Sequence, residues 1–431
     1  MHTGGRRRPR DDGQDDFVPR ERMRGQRPVD FYSPAIRHIE MRLQKRRTPF
    51  NYHVCPHELY AKDVVPARET DFNPSAALCT QWVSTSFHPD SRGGRERISI
   101  FDLKWAPSGR RLLCSTSQGE FLLFNGQSFG LEIRTKAHED NRSCRAIAWG
   151  ARNDFILSGD EAGKVNLWTS DLVLVGGLET NHRAVREITW APSEAKFCTA
   201  GQDGMAKVWD TVRVGSREHE EVKLEGHGGD VTTVHWHPYR ALLATGSQDT
   251  QCRLWDPRTA ASGSLASLRG HGQTVSCVRW HPDGSSLLTA SKDGCAKLWD
   301  IRRAEKELLC FRGHSSGVDK VEWHPSVPDL FASTGTDGNV IYWMVDEGDR
   351  TVVHGVPEVY TGAAQIEAAH GRFRGSTEPH LCLAWSPLGN LLTTSGTEVK
   401  YWTRNKPGAM EEHDQREEDD ILDEDGGGRG G

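Results

Sequence analysis

Seven times along this chain, a strand-like stretch ending in Trp is followed about nineteen residues later by an aromatic that closes a second strand. The inner positions are Trp105, Trp149, Trp190, Trp236, Trp280, Trp323 and Trp385, and the closing positions are Phe124, Trp168, Trp209, Trp255, Trp299, Trp343 and Trp402. Successive closing aromatics lie 44, 41, 46, 44, 44 and 59 residues apart. A repeat of roughly forty residues marked by Gly-His and Trp-Asp pairs is what four-stranded blades leave in a sequence, because one blade cannot bury its faces without neighbours. The spacing therefore predicts an all-β chain whose residues 79–403 form a seven-bladed β-propeller. It argues against an enzyme built on any other plan.

The fourth and fifth repeats are the clearest. One reads Gly226-His227, Asp230, Trp236-His237-Pro238, Ser247, Asp249 and Trp255-Asp256; the next reads Gly270-His271, Trp280-His281-Pro282, Ser291, Asp293 and Trp299-Asp300. Apolar alternation marks strands, and Asp203-Gly204, Asp293-Gly294 and Asp337-Gly338 mark tight hairpin turns. The stretch 79–87 alternates ahead of the first repeat. It is expected to supply the outer strand of the last blade beside Lys400–Trp402, closing the ring and removing its open edges. An insertion within 347–378 lengthens the seventh repeat and is either a functional or a flexible loop. This pattern resembles the WD-repeat family over about three quarters of the chain. By that resemblance His227, Ser247, Asp249 and Trp255 form a buried structural network, and so do His271, Ser291, Asp293 and Trp299. Blades one, two and seven depart from it, with Gln118, Ala162 and Gly396 at the turn Asp position.

The near balance of 54 basic and 60 acidic residues hides an asymmetry. Residues 1–50 carry 13 Lys/Arg against 7 Asp/Glu, and residues 404–431 carry 4 against 10. Segments of this kind touch partners rather than a core. We divide the chain into a basic, disordered arm (1–33), a short helix (34–47), a connector (48–78), the propeller (79–403) and a disordered acidic, Gly-rich tail (404–431). Ser33-Pro34 starts the helix as N-cap and first helical residue. Ile36, Ile39 and Leu43 make its apolar stripe, with Arg37, Arg42, Lys45 and Arg46 mainly off it. The cluster Arg6, Arg7, Arg8 and Arg10 suits nuclear import or a solvated tail equally. No run of eighteen apolar residues is present, so no membrane span is expected.

Chemistry is hard to find. The ten Cys are scattered with no CxxC, which fits small buried residues in a reducing compartment. No Cys/His set has zinc spacing and no HExxH occurs, so neither metal nor cofactor is expected. The 19 His fall mostly at Gly-His and Trp-His-Pro positions of the repeat. No nucleophile with a positioned base emerges, and the chain is expected not to be an enzyme.

The arm is more specific. Phe17 precedes Arg20, Arg22, Met23, Arg24 and Arg27. An aromatic among closely spaced guanidiniums suits single-stranded nucleic acid, with Arg on phosphates and Phe as a stacking face, although a solvated arm has the same composition. Arg22-Met23-Arg24, Ile36…Glu40…Arg42, Asp63-Val64-Val65-Pro66, Gly109-Arg110-Arg111-Leu112, Gly119-Glu120-Phe121 with Asn125-Gly126, Gly226-His227-Gly228 and Tyr401-Trp402-Thr403-Arg404-Asn405-Lys406-Pro407-Gly408 together resemble the WD-repeat subunits of the cleavage and polyadenylation specificity factor. The resemblance implies a nuclear, non-catalytic scaffold that, with a zinc-finger subunit, binds the AAUAAA signal in single-stranded pre-mRNA. It implies a U–A pair held between an arm aromatic, matched by Phe17, and a first-blade aromatic, whose place here is Leu131. Arg22, Arg24, Arg27, Arg95 and Arg97 match the surrounding basic contacts. Leu131 packs on a base but has no π-face, so weaker or altered reading of the hexamer is expected. The resemblance also docks Ile36, Ile39, Leu43 and Arg42 into a large multi-propeller subunit; packing on the chain's own ring is the other home for that stripe. The competing reading is a WD-repeat peptide-binding adaptor, a ubiquitin-ligase receptor or chromatin reader. It predicts an Arg or aromatic cluster at the ring's central channel.

Overall fold

A computed structural model describes residues 81–82 and 98–403, less 127, 139–141, 215–219, 260–262, 304–305, 326–329, 346–381, 388, 390 and 397–398. The arm, the helix 34–47, the connector, Arg95, Arg97, the insertion in blade seven and the tail lie outside the described residues. What is described is a seven-bladed propeller of seven antiparallel sheets. Six sheets have four strands and the sixth blade shows three among the described residues. In blade one the innermost strand is Ile100–Trp105, followed outward by Arg111–Thr116, Glu120–Asn125 and Leu131–Lys136.

The core is a ring of seven apolar clusters, one in each gap between neighbouring blades. Ile100, Leu112 and Phe124 meet Cys382 and Tyr401 across the gap between blades one and seven. Leu113 and Phe121 meet Ile147, Ile156 and Trp168 across the next gap. The repeat's aromatics sit in these gaps: Trp209, Trp255, Trp299 and Trp343 are all buried. A buried aromatic contributes about 2–3 kcal/mol from area alone, so each blade is held by its neighbours.

Closure follows the expectation. Gln81–Trp82 pairs antiparallel with Val399–Thr403, Gln81 opposite Thr403 and Trp82 opposite Trp402. The N-terminal side of the chain thus completes the last blade. The Asp-Gly turns are also as expected: Gly204, Gly294 and Gly338 have φ of 77°, 81° and 76°. A Cβ is strained in that left-handed region.

A regular bulge was not expected. In each of blades one to six the register between the two innermost strands shifts after the first residue of the inner strand. The second residue is therefore unpaired in the ladder, and a bulge re-aims its side chain. Those residues are Phe101, Arg145, Arg186, Thr232, Ser276 and Asp319. They sit where the inner strands begin, at one mouth of the central channel.

Candidate nucleic-acid interface

Of the sequence-predicted RNA contacts, Leu131 is the one within the described residues. It opens the outermost strand of blade one and stands opposite Phe124, beyond a register shift. A tight loop sets it there. Asn125 accepts from Ser128 N–H through its side chain at 3.0 Å and donates its own backbone N–H to Gly130 O at 2.9 Å. Gly126 has no room for a side chain: a Cβ would lie 2.6 Å from Gly109 O and 2.8 Å from the Trp105 ring.

Leu131 is 38% exposed and Ile133, on the same side of the strand, 39% exposed. Two solvent-facing aliphatics form a small apolar patch rather than a π-platform. Phe129 does not replace the missing ring freely. Its backbone is left-handed at φ 57°, and its ring lies 4.5 Å from that of Tyr401, packed against the core. The charges around the patch are paired. Arg111 Nε lies 3.2 Å from Glu132, which also accepts from Asn125 Nδ2 at 2.7 Å, and Arg134 donates to Glu120 at 2.8 Å.

The topology adds a relation the sequence did not show. Third strands end, and fourth strands begin, on the same face of the ring. Gln81 enters its strand at that face and Thr403 leaves at it. The described chain therefore enters this strand at Gln81 and leaves the last blade at Thr403 on the face where Leu131 lies.

The structural networks are present, with one correction. His227 Nδ1–H donates to Asp249 at 2.9 Å, Thr245 donates to Nε2 at 2.7 Å, and Trp255 Nε1–H donates to Thr245 at 2.8 Å. In blade five the linking hydroxyl is Thr289, between His271 and Trp299, with Asp293 on the other ring nitrogen. Ser247 and Ser291 were expected in these chains and are not links in them. They lie two residues further on, where each accepts the backbone N–H of the turn Asp and donates to the preceding loop. Only the earlier hydroxyl stands between imidazole and indole. Blades three and six repeat the arrangement through Thr199 and Ser333. Blade two, which lacks the turn Asp, uses Asp160 from two positions earlier, 3.4 Å from His138 Nδ1. These imidazoles are held by fixed partners inside the ring. Burial lowers the pKa of His227 and His314, so they rest neutral as structural acceptors.

The channel interior is crossed by charge. Arg279 of blade five donates to Glu187 of blade three at 2.7 Å, and Lys320 of blade six approaches the same carboxylate at 3.7 Å. Glu187 also accepts from Val234 N–H at 3.0 Å and from Thr233. Although burial opposes it, the two cations hold the Glu187 carboxyl far below the usual range. Sequence reading missed this set; charged residues at the third and fifth positions of inner strands, in place of apolar ones, are the signal that would have found it. Among the described residues no group of His, Cys, Asp and Glu is arranged to hold a metal ion. Burial pushes the Cys295 thiol up to about 11, away from nucleophilic use at neutral pH.

Fold and networks define the class: this is a seven-bladed WD-repeat propeller. Residues 174–210, 219–256, 262–300 and 305–344 match the WD domain, G-beta repeat. Among curated proteins the chain is similar to Polyadenylation factor subunit 2 of Cryptococcus neoformans, 29% identical over 212 residues, covering 49% of this chain and 28% of that protein. It is 30% identical over 159 residues to the protein of that name from Candida albicans, covering 32% and 28%. To that of Neurospora crassa it is 30% identical over 220 residues, covering 51% and 31%. The chain thus spans roughly a third or less of the length of these relatives. They bear out the resemblance to a WD-repeat subunit of the polyadenylation machinery.

Proposed function

We propose that this chain is a nuclear, non-catalytic scaffold and RNA-binding subunit of a pre-mRNA 3′-end processing assembly. The observation that carries the reading is its similarity to fungal proteins named Polyadenylation factor subunit 2. The arm and the entry topology support it. Phe17 with Arg22, Arg24 and Arg27 gives an aromatic among phosphate-binding cations, and the chain joins the ring on the face that carries Leu131. In this reading single-stranded pre-mRNA lies between the arm and blade one, near Arg95 and Arg97, with a zinc-finger subunit completing the site. Ile36, Ile39, Leu43 and Arg42 dock into a large multi-propeller subunit. Among the described residues the imidazoles of His182, His227, His271 and His314 are committed to the blade networks.

RNA binding by the chain co-purified with its two partner subunits tests this, using an AAUAAA oligonucleotide, a scrambled one, Phe17→Ala and Leu131→Phe. Phe17→Ala is expected to weaken AAUAAA binding roughly tenfold, within the range of about 1–3 kcal/mol per stacked base. Leu131→Phe is expected to strengthen it. Equal, salt-sensitive binding to both RNAs, unmoved by either variant, would overturn signal reading and leave an assembly scaffold with phosphate contacts alone.

A further inference from the structure

The bulge gives every one of the first six blades one re-aimed residue at the channel mouth, and the six differ around the ring. Blades one to three place Phe101, Arg145 and Arg186 there; blades four to six place Thr232, Ser276 and Asp319. Thr232 and Ser276 turn back onto the neighbouring strand, donating to Val275 O and Val318 O. Asp319 pairs with Lys292. That half of the mouth is satisfied within the fold.

The other half carries an excess of guanidinium charge. The Arg145 guanidinium stacks over the Phe101 ring, 4.5 Å from its centroid, and pairs with Glu161. Arg186 lies close enough to Arg145 that burial and this like charge together lower its pKa, with Asp230 and Glu161 opposing. It makes no hydrogen bond or ion pair within the described residues. Three residues upstream, on the loops that lead into the same two strands, stand Arg142 and Arg183, both exposed. Blades two and three thus share an Arg-x-x-Arg step from loop to bulge. Blades four, five and six have Gly229, Gln273 and Ser316 at the loop position instead. The Arg145 and Arg186 guanidiniums and the Phe101 ring thus share one sector of the mouth, and the two loop arginines lead into its strands.

From this geometry we infer a binding site for an acidic peptide segment of a partner, seated at the channel mouth over Phe101, Arg145 and Arg186 and flanked by Arg142 and Arg183. Guanidiniums bind carboxylate or phosphate groups through paired N–H donors, and a half-buried site shields the contact from salt. A peptide fits better than RNA. Phe101 already has one face covered by Arg145, whereas single-stranded nucleic acid wants open aromatic faces along a groove. The Glu187–Arg279 pair lies in the channel below, and the proposed ligand rests on the mouth. The site lies on the face opposite the one where Gln81 enters and Thr403 leaves, so it does not depend on the proposed RNA reading.

The test is fluorescence anisotropy with the full chain and three labelled peptides of one length: one rich in Glu, its counterpart with phosphoserine at those positions, and a Gln counterpart. Binding of the Glu or phosphoserine peptide, whichever is tighter identifying the side-chain chemistry, is expected to drop about tenfold or more in Arg183→Ala/Arg186→Ala, the loss of roughly one charge-assisted contact or more. Arg258→Ala, an exposed arginine on another blade paired with Asp256, is expected to change nothing. Thermal melting checks that the double variant folds; should it not, Arg183→Glu alone, on an exposed loop, carries the test. Equal affinity for the Gln peptide, equal loss in Arg258→Ala, or displacement of the acidic peptide by single-stranded RNA with the same arginine dependence would overturn the proposal.

Discussion

One hydroxyl decides each blade network. Thr245 Oγ1 both donates to His227 and accepts from Trp255, so its removal leaves an imidazole nitrogen and a buried indole N–H without partners. Each such group costs about 1–3 kcal/mol. Thr245→Ala is therefore expected to destabilise the ring by about 2–4 kcal/mol, and Thr245→Ser by far less, because the hydroxyl stays. Ser247→Ala, which loses the turn N–H and a donation to Gly229 O but strands no imidazole or indole, is expected to cost about 1–2 kcal/mol. Urea unfolding of the three variants checks the order; equal midpoints for Thr245→Ala and Ser247→Ala would contradict it. The sequence could not separate these residues. Two hydroxyls two apart on a strand share a face, and only the distance to the imidazole tells which one bridges. In blade two, likewise, the carboxylate missing at Ala162 is supplied by Asp160, whose longer reach a one-dimensional pattern does not reveal.

At the scale of the element, the short pairing of Gln81–Trp82 with Val399–Thr403 joins the two ends of the ring. A chain lacking residues 1–78 keeps that pairing, whereas one lacking residues 1–83 exposes the edge of the 399–403 strand, a template for association. The second truncation is expected to melt several degrees lower and to elute partly as oligomers, the first to match the intact ring. Melting curves and size-exclusion profiles decide; indistinguishable truncations would mean that closure contributes nothing. Closure, blade order and the Asp-Gly turns were legible because they are written in local patterns: alternation, a repeat of roughly forty residues and turn chemistry. The inner-strand bulges were not, since a bulge changes which residues face one another without changing which residues are apolar. With them went the arginine cluster at the channel mouth, the feature that the adaptor reading had asked for. Of the RNA contacts the sequence proposed, Leu131 has a place on the ring, as an exposed aliphatic beside Ile133.

Across the whole molecule, the axis couples distant blades through buried charge, and this sets a pH dependence. His235, on the inner strand of blade four, accepts the Trp280 N–H at 3.2 Å. Burial and the Arg279 charge lower its pKa from an ordinary 6.5 to about 3. Between those two values the unfolded chain takes up a proton that the folded ring refuses, so stability is full above about pH 6.5 and falls as the pH drops toward 3. His227 and His314 act in the same direction. The turn carboxylates Asp203, Asp249, Asp293 and Asp337 are held below their usual range largely by their His partners and turn N–H groups. Their contribution is present above the ordinary carboxylate pKa and is lost in a further, more acid step. Glu322, raised by burial, works against both. Lys320, raised by Glu187, governs the other limb: its contribution holds below its unfolded value and disappears only at strongly alkaline pH. The melting temperature is thus expected to be flat from pH 7 to about 9 and to fall steadily below about 6.5. His235→Gln, which can still accept the Trp280 N–H but does not titrate, is expected to flatten the limb between about pH 6.5 and 4. An unchanged slope in that variant would show that the axial histidine is not what ties the ring's stability to protons.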